Sequence, residues 1–465
     1  MVTDSSRKED ASFAFARNFV LARYEDLPPA AVEAVKKSLL DTLGVAIAAT
    51  TLAQGGKELA EIAKEGGGKK ESTLLVFGGR VPCWMAAWVN GGLAHGLDFD
   101  DLHHEGISHP SGAVVPAALA VAERLGSVKG KDFITAVALG QDMVMRMTAA
   151  INTNMLLYNW MRFPVIAVFA SAATSGRLMG LDQAKMHEAI GGALCYSAGT
   201  GELLRGAIRG LYDGWAAKGG IFAALVAQKG ITGAESPLEG QMGFFPVYYR
   251  GEYDRNVLLD GLGEKYLSVQ LGYKPWPSCS VTQPSIDATL RLVKEHDLKP
   301  EDIAEITIRV GTQARYNCEP LEYVRNPKTV MDAKFSVPFT AAIAAVKRKV
   351  TLGDFTLSTI QDPQVVALSQ KVTPILDAKL NVQRGTPPAI VEIKTRDGKK
   401  VNTRTDYVWG HYKNPMGMEA IIEKFRDCVS YSAKPFPKKN IESVIEMAQN
   451  LEELEDVGAI MRLLA

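Results

Sequence analysis

The chain has 465 residues, of which 47% are hydrophobic and 22% charged, and its 52 lysines and arginines balance its 52 aspartates and glutamates. A chain of this length predicts about two domains, and its composition is typical of a globular protein. Because the sequence has neither a basic excess nor an acidic tail, we expect no nucleic-acid partner and no solvating role.

The cysteine pattern and the apolar runs indicate the compartment. Five cysteines lie far apart, form no CxxC pair and are odd in number, which argues against a disulfide framework or a thiolate zinc site. The first twenty residues are charged and lack the apolar core of a secretion signal. No run of about 18 uncharged apolar residues predicts a membrane span. We therefore expect a cytoplasmic protein with no membrane partner.

Apolar residues recur at helical spacing through the first half of the chain and again at its end. This periodicity predicts helices over 29–48, 85–97, 113–125, 131–150, 164–180, 183–198, 215–229, 419–428 and 440–464. A short strand over 72–77 is also predicted. The N-terminal half and the C-terminal tail are therefore expected to be helical.

The sequence pattern changes near residue 268. Two prolines exclude regular helix from Tyr273–Cys279 (YKPWPSC). Beyond them the pattern predicts a helix over 284–296, a strand over 305–310, and two strands within 389–406 around an Asp397-Gly398 hairpin turn. Strands confined to one block predict a separate domain. We predict a mainly α protein with an α+β insert: a helical domain over 1–268, to which 406–465 returns, and a smaller α+β domain over 269–405.

The segment Gly92–Pro116 (GLAHGLDFDDLHHEGISHPSGAVVP) has an unusual density of titratable side chains. Within a dozen positions it contains Asp98, Asp100, Asp101, His103, His104, Glu105 and His109. His109 precedes Pro110, which favours an extended backbone, and Ser111 is a typical N-cap for the next helix. Asp98 and His109 are therefore expected at the two ends of one loop, beside a helix N-terminus that attracts anions. Such density is typical of reactive sites, and the alternative is a solvated surface loop.

Lys218 lies between small residues in an otherwise apolar helix. Lysine is rarely fully buried without a partner. Either its ammonium reaches the surface along the helix, or it is a cation that lines a pocket. Arg205 and Arg209, just upstream, are candidate companions.

Six segments, spread along most of the chain, carry a resemblance to a known family. They are AHGLDFDD (94–101), HPSGAVVPA (109–117), AAKGG (216–220), YKPWPSC (273–279), AKFSVPF (333–339) and NPM (414–416). In this order they resemble the MmgE/PrpD family, which includes 2-methylcitrate dehydratase, cis-aconitate decarboxylase and iminodisuccinate epimerase. The resemblance implies a homodimer and a helical domain closed by an α+β lid. It also implies an active site between domain and lid, without metal or organic cofactor.

The resemblance also implies roles for individual residues. The candidate catalytic residues are Asp98, His109 and Lys218. The candidate substrate-binding residues are Lys274, His103, Gln283 and Arg209. Five positions depart from the family's pattern: Leu102 replaces Thr or Ser, Phe163 the histidine of an HP[ST] motif, Gln283 and Tyr212 further histidines, and Phe339 a tyrosine. These losses of polar groups predict a changed substrate, smaller or less carboxylated than the family's usual acids.

The family's chemistry involves proton movement beside a carboxylate. The resulting enolate-like species needs a positioned base and nearby cations. Asp98 or His109 can act as base or acid, and Lys218 and Lys274 can hold carboxylate oxygens. Loss of a β-hydroxyl gives dehydration, loss of CO2 gives decarboxylation, and return of the proton to the other face gives epimerisation.

We predict first a cofactor-independent hydro-lyase acting on a small di- or tricarboxylic acid, similar to 2-methylcitrate dehydratase. An epimerase, isomerase or decarboxylase of a related acid is the first alternative, and a non-catalytic family member is the second. A metal site built from His95, Asp98, His103 and His109 is conceivable from the ligand types. Its spacing fits no metal motif, and the family that the chain resembles works without metal, so we predict none.

Overall fold

The structure of the chain is a computed structural model. It describes residues 9–152 and 160–465, apart from the side chains of Phe163, Leu204 and Arg205. The predicted role of Arg205 and the predicted departure at Phe163 therefore lie outside the described residues. Within the described part of the chain, no helix is both long and apolar enough to cross a membrane.

The chain divides into two compact units. One comprises Met1–Leu271 and Gly417–Ala465, and the other comprises Gly272–Met416. The α-helices among the described residues are α1 (Ala11–Leu21), α2 (Pro29–Leu52), α3 (Gly56–Glu65), α4 (Cys83–His95), α5 (Ser111–Leu125), α6 (Gly130–Ala150), α7 (Arg162–Leu178), α8 (Gln183–Ala193), α9 (Tyr212–Gln228), α10 (Phe244–Tyr249), α11 (Arg255–Leu259), α12 (Gln283–Glu295), α13 (Arg315–Cys318), α14 (Leu321–Arg325), α15 (Val330–Lys334), α16 (Val337–Lys347), α17 (Leu357–Ile360), α18 (Pro363–Ser369), α19 (Met418–Val429), α20 (Lys438–Gln449) and α21 (Gly458–Leu463). The strands are β1 (Ser72–Thr73), β2 (Arg80–Val81), β3 (Ile303–Val310), β4 (Val372–Leu376), β5 (Ala389–Thr395) and β6 (Lys400–Thr405).

The predicted fold class is confirmed, because helices make up most of the chain and a four-stranded sheet lies in the second unit. The strand order is β4-β3-β5-β6, with β3 parallel to β4 and antiparallel to β5. The hairpin of β5 and β6 turns at Asp397-Gly398, as predicted, with Gly398 at φ 90°.

Two local predictions were wrong, and one strand was not predicted. The strand predicted over 72–77 stops after two residues, because Val76 has φ 62° and turns the chain. The helix predicted over 440–464 is interrupted at Asn450, whose φ of −112° and ψ of 35° are not helical. Strand β4 was not predicted, because Pro374 lies within it, and proline is tolerated there only because β4 is an edge strand.

The helices that carry the candidate site pack closely in the first unit. Helix α9 packs against α7 and α4, and α4 packs against α5. The approach of α9 to α4 requires a glycine, because a Cβ atom at Gly214 would overlap the carbonyl oxygen of Trp88. This contact brings the start of α9 beside the end of α4.

Candidate active site

A buried cluster of two histidines and two aspartates lies where α4 ends and α5 begins. His95 is the last residue of α4, Asp98 and Asp100 follow it, and His109 lies two residues before α5. One side-chain nitrogen or oxygen atom from each residue lies within 4.8 Å of the others, and all four residues are buried. The structure thus brings together Asp98 and His109 from the two ends of the loop.

Asp98 reaches the cluster through an unusual backbone conformation. Its φ is 53°, and its N–H donates to the carbonyl oxygen of His95 at 2.9 Å, which turns the chain sharply after α4. Aspartate is one of the few residues other than glycine that tolerates this left-handed region. Such strained positions concentrate at functional sites.

Asp100 joins the two histidines. Its Oδ2 lies 2.9 Å from Nδ1 of His95 and 3.4 Å from Nδ1 of His109. The imidazole rings are 4.8 Å apart, and His109 Nδ1 also lies 2.7 Å from the carbonyl oxygen of Asp101. Burial disfavours a charged His95, but the Asp100 carboxylate outweighs it, so the pKa of His95 lies above its usual value. The sequence analysis did not identify Asp100 as a site residue, although it lies within the DFDD motif.

The N-terminus of α5 is occupied by a carboxylate of the protein itself. Asp101 Oδ1 accepts a hydrogen bond from the backbone N–H of Ser111 at 3.2 Å, and its Oδ2 accepts from the hydroxyls of Ser111 and of Ser38. Ser111 is therefore the first helical residue rather than the predicted N-cap, and its hydroxyl bonds Asp101 instead of the helix. A carboxyl group of the protein therefore occupies the helix N-terminus that was expected to attract anions.

Asp101 makes stability depend on pH. Burial raises the pKa of this carboxyl to about 7, although the hydrogen bonds from Ser111 oppose the shift. Because the folded protein holds this proton more tightly than the unfolded chain, the contribution favours folding below about pH 4 and is lost as the pH rises towards 7.

We expect Asp101→Asn to flatten the fall in unfolding temperature between pH 5 and pH 8, because an amide does not titrate. The pKa shift of Asp101 corresponds to a change of about 4 kcal/mol in the free energy of unfolding over the full pH range of its titration. Thermal unfolding of the wild type and the variant at both pH values tests this. Equal slopes for the two proteins would contradict it.

The Lys218 ammonium lies among indole rings from α4 and α9. Its ammonium is 5.2, 4.8 and 5.1 Å from the ring centroids of Trp84, Trp88 and Trp215. Two of these rings are one turn apart on α4, and the third precedes Lys218 by one turn on α9. Burial lowers the pKa of Lys218. Within the described residues no carboxylate forms an ion pair with Lys218, so cation–π contacts account for its environment.

Arg209 and the start of α9 lie beside the cluster. Arg209 is buried, with 7% of its surface exposed. The Tyr212 ring lies 4.8 Å from the His95 ring. Burial and the adjacent Asp213 raise the pKa of Tyr212 well above its usual value, and Arg209 opposes this shift, which places its charge near the tyrosine. Tyr212 is therefore neutral.

His103 is buried within the same loop. Its backbone pairs with Ser108 through hydrogen bonds of 2.8 and 3.3 Å, which close the loop on itself. The metal site considered from the sequence combined His103 with His95, Asp98 and His109. In the structure the fourth member of the cluster is Asp100 instead of His103. Histidine and aspartate are residue types that bind divalent metal ions.

The remaining predicted site residues belong to the second unit. Lys274 is buried, in the segment with two prolines. Gln283 is also buried, at the start of α12, and its Nε2 donates to the carbonyl oxygens of Trp276 at 2.8 Å and Ser278 at 3.1 Å. Gln283 thus fixes the segment that carries Lys274.

A cleft of about 570 Å³ lies elsewhere in the first unit. Its lining includes Phe13, His187 and Glu188, and the rings of Phe13 and His187 are stacked at 3.8 Å. None of the predicted site residues lines this cleft. This cleft is therefore separate from the cluster of predicted site residues.

Comparisons with known proteins agree with the resemblance found in the sequence. The model of the MmgE/PrpD N-terminal domain matches residues 14–256, and that of the MmgE/PrpD C-terminal domain matches residues 276–452. Human cis-aconitate decarboxylase is 29% identical over 457 residues, covering 93% of this chain and 90% of the human protein. The mouse protein of the same name is 27% identical, covering 92% of this chain and 88% of its own length. Cis-aconitate decarboxylase of Aspergillus terreus is 24% identical, covering 95% and 93%. With both of its domain models matched along the chain, this protein belongs to the MmgE/PrpD family.

Proposed function

We propose that this protein is a lyase that decarboxylates a small unsaturated polycarboxylic acid, with cis-aconitate as the first substrate to test. The observation that carries the proposal is its similarity, along nearly the whole chain, to proteins named cis-aconitate decarboxylase. The sequence analysis put dehydration first, and these relatives move decarboxylation ahead of it. From the resemblance we also propose a homodimer that needs no metal or organic cofactor, and from the cysteine pattern and the apolar runs a cytoplasmic location.

The proposed reaction needs one proton and a sink for charge. The bond to the departing carboxylate breaks and CO2 leaves. The electron pair of the broken bond shifts through the double bond to the carbon beside a remaining carboxylate. Negative charge develops there as in an enolate. That carbon then takes one proton, which gives a dicarboxylate with a terminal methylene group. Catalysis therefore requires a positioned acid and a cation near the developing charge.

The cluster contains side chains suited to these tasks. We assign the proton transfer to His109, because a protonated imidazole there can pair with Asp100 at 3.4 Å. Asp98 lies within the same 4.8 Å cluster and orients the reacting acid. Arg209 is the proposed cation for a carboxylate, because it is buried and always charged. Lys274 remains a proposed substrate-binding residue on the strength of the resemblance.

Lys218 is proposed to act differently from the residues of the cluster. Its ammonium contacts indole rings on both α4 and α9, so its contribution is to the packing of these two helices. This packing positions His95 on α4 and the start of α9. The catalytic role that the resemblance implies for Lys218 remains a proposal beside this packing role.

Dehydration is the second candidate, and one observation favours it. Dehydration needs a base for the α-proton and an acid for the leaving hydroxyl, and the cluster holds both a carboxylate, Asp98, and an imidazole, His109. Decarboxylation needs only the acid. The presence of both groups therefore favours dehydration as the second candidate, and the product distinguishes it from decarboxylation.

A substrate panel tests the proposal. Purified protein should release CO2 from cis-aconitate, both before and after dialysis against EDTA. Asp98→Asn should lower the rate by about a hundredfold, because Asp98 orients the reacting acid, and this loss would exclude a contaminating enzyme. Water loss from 2-methylcitrate, racemisation of an amino-dicarboxylate, or no turnover of any of these acids would contradict the proposed decarboxylation.

A further inference from the structure

Asp213 is a buried carboxyl that the sequence analysis did not consider. It lies in the first turn of α9, with no exposed surface. A Cβ atom built at Gly112 would overlap Asp213 Oδ2 and would lie 3.4 Å from Asp100 Oδ2. Glycine at the start of α5 therefore makes room for two carboxyl groups that approach the same point from different elements.

The oxygens of Asp213 lack the partners that a buried carboxylate normally has. Both are buried, and neither has a hydrogen-bond partner among the residues that the structure describes. Buried polar groups are nearly always hydrogen-bonded, and an ionised carboxylate left unpaired is especially costly. Asp142 shows the contrast: it is equally buried, and its Oδ2 pairs with Arg146 at 2.6 Å.

The two carboxyl groups that face Asp213 also oppose a negative charge on it. Burial raises the pKa of Asp213 well above its usual value, and the carboxyls of Asp100 and Asp101 raise it further, while His95 opposes the shift. Tyr212, the preceding residue of α9, is neutral. Two carboxyls in one desolvated space favour the state in which one of them is protonated.

We propose that Asp213 and Asp100 hold one proton between them, and that neutral Asp213 keeps Asp100 ionised between His95 and His109. Asp100 Oδ2 is already engaged by both imidazoles, at 2.9 and 3.4 Å, whereas the basic group that acts on Asp213 is His95, which Asp100 engages. The proton therefore resides on Asp213. Asp213 is a positioning residue: it acts on the substrate only through Asp100 and the two histidines.

This arrangement sets an upper pH limit for the site. When Asp213 loses its proton, a second negative charge enters the buried space and competes with Asp100 for His95. The geometry that holds His109 is then lost. Asparagine at position 213 has nearly the same shape as aspartic acid and stays neutral at every pH. It therefore keeps the site in the state with an ionised Asp100 and a neutral side chain at position 213.

The first test is the pH dependence of kcat/KM for the wild type, Asp213→Asn and Asp213→Ser, and it rests on the proposed function. Both variants should extend the alkaline limb by about one pH unit or more, which is about a tenfold higher relative activity at the same alkaline pH. Glu123→Gln is the matched control, because Glu123 is a buried carboxyl that is hydrogen-bonded by Thr73 outside the cluster. Its profile should follow the wild type. Superimposed profiles for all four proteins, or a loss of more than a hundredfold at every pH in a folded Asp213→Asn, would overturn the inference.

The second test needs no substrate, and it remains informative if the proposed reaction is wrong. The infrared difference spectrum of wild type minus Asp213→Asn at pH 7 should contain the carbonyl band of a protonated carboxylic acid. That band should disappear as the pH is raised. A difference spectrum with only carboxylate bands at pH 7 would overturn the inference, whatever acid the protein acts on.

Discussion

His109→Ala should lower kcat by about a hundredfold to ten-thousandfold, the usual contribution of a general acid or base. His109 is the imidazole proposed to transfer the proton, and its Nδ1 is fixed by the Asp101 carbonyl oxygen at 2.7 Å and by Asp100. Removing it leaves binding of the acid to the remaining side chains, so KM should change far less than kcat. Steady-state rates of CO2 release measure both constants.

A histidine outside the cluster is the control for this prediction. His296 lies just after α12 in the second unit, and His296→Ala should leave both constants near the wild-type values. Unfolding temperatures of the two variants distinguish a lost proton transfer from a damaged fold. Wild-type activity in a folded His109→Ala would remove this residue from the proposed mechanism.

Lys424→Met should reduce the free energy of unfolding by about 3–5 kcal/mol, because it removes the cation from a buried ion pair. Lys424 lies on α19 in the C-terminal segment, and its ammonium is 2.6 Å from Asp41 Oδ1 on α2. The same ammonium donates to the carbonyl oxygen of Phe99 at 2.6 Å and lies 3.7 Å from the centroid of that ring. Phe99 separates Asp98 from Asp100, so the variant should also lower activity.

Arg426→Met is the matched control, because it removes one positive charge from the same helix. Arg426 pairs with Glu442 at 2.7 Å, but both side chains are nearly half exposed. Exposed pairs contribute only about 0.2–1 kcal/mol. Urea unfolding of both variants should show a much larger loss for Lys424→Met. Similar losses would mean that the buried pair with Asp41 is not what anchors the segment around Phe99.

Much of the helical architecture could be predicted from local periodicity. Helices such as α2 and α6 begin and end within a few residues of their predicted bounds, because each buries a continuous apolar face that recurs at helical spacing. The interrupted helix near Asn450 and the edge strand with Pro374 were missed. In both, backbone geometry depends on neighbours that are distant in the sequence.

The sequence by itself determined the fold class, the family resemblance, and the segment in which Asp98 and His109 meet, because these depend on spacing along one stretch of chain. Tertiary structure decided which other side chains meet them. It placed Asp100 between two histidines and the Asp101 carboxyl at the start of α5. It also surrounded the Lys218 ammonium with tryptophans and left Asp213 buried beside Gly112. These contacts arise because α4, α5 and α9 pack closely, and a one-dimensional pattern does not contain the distance between helices.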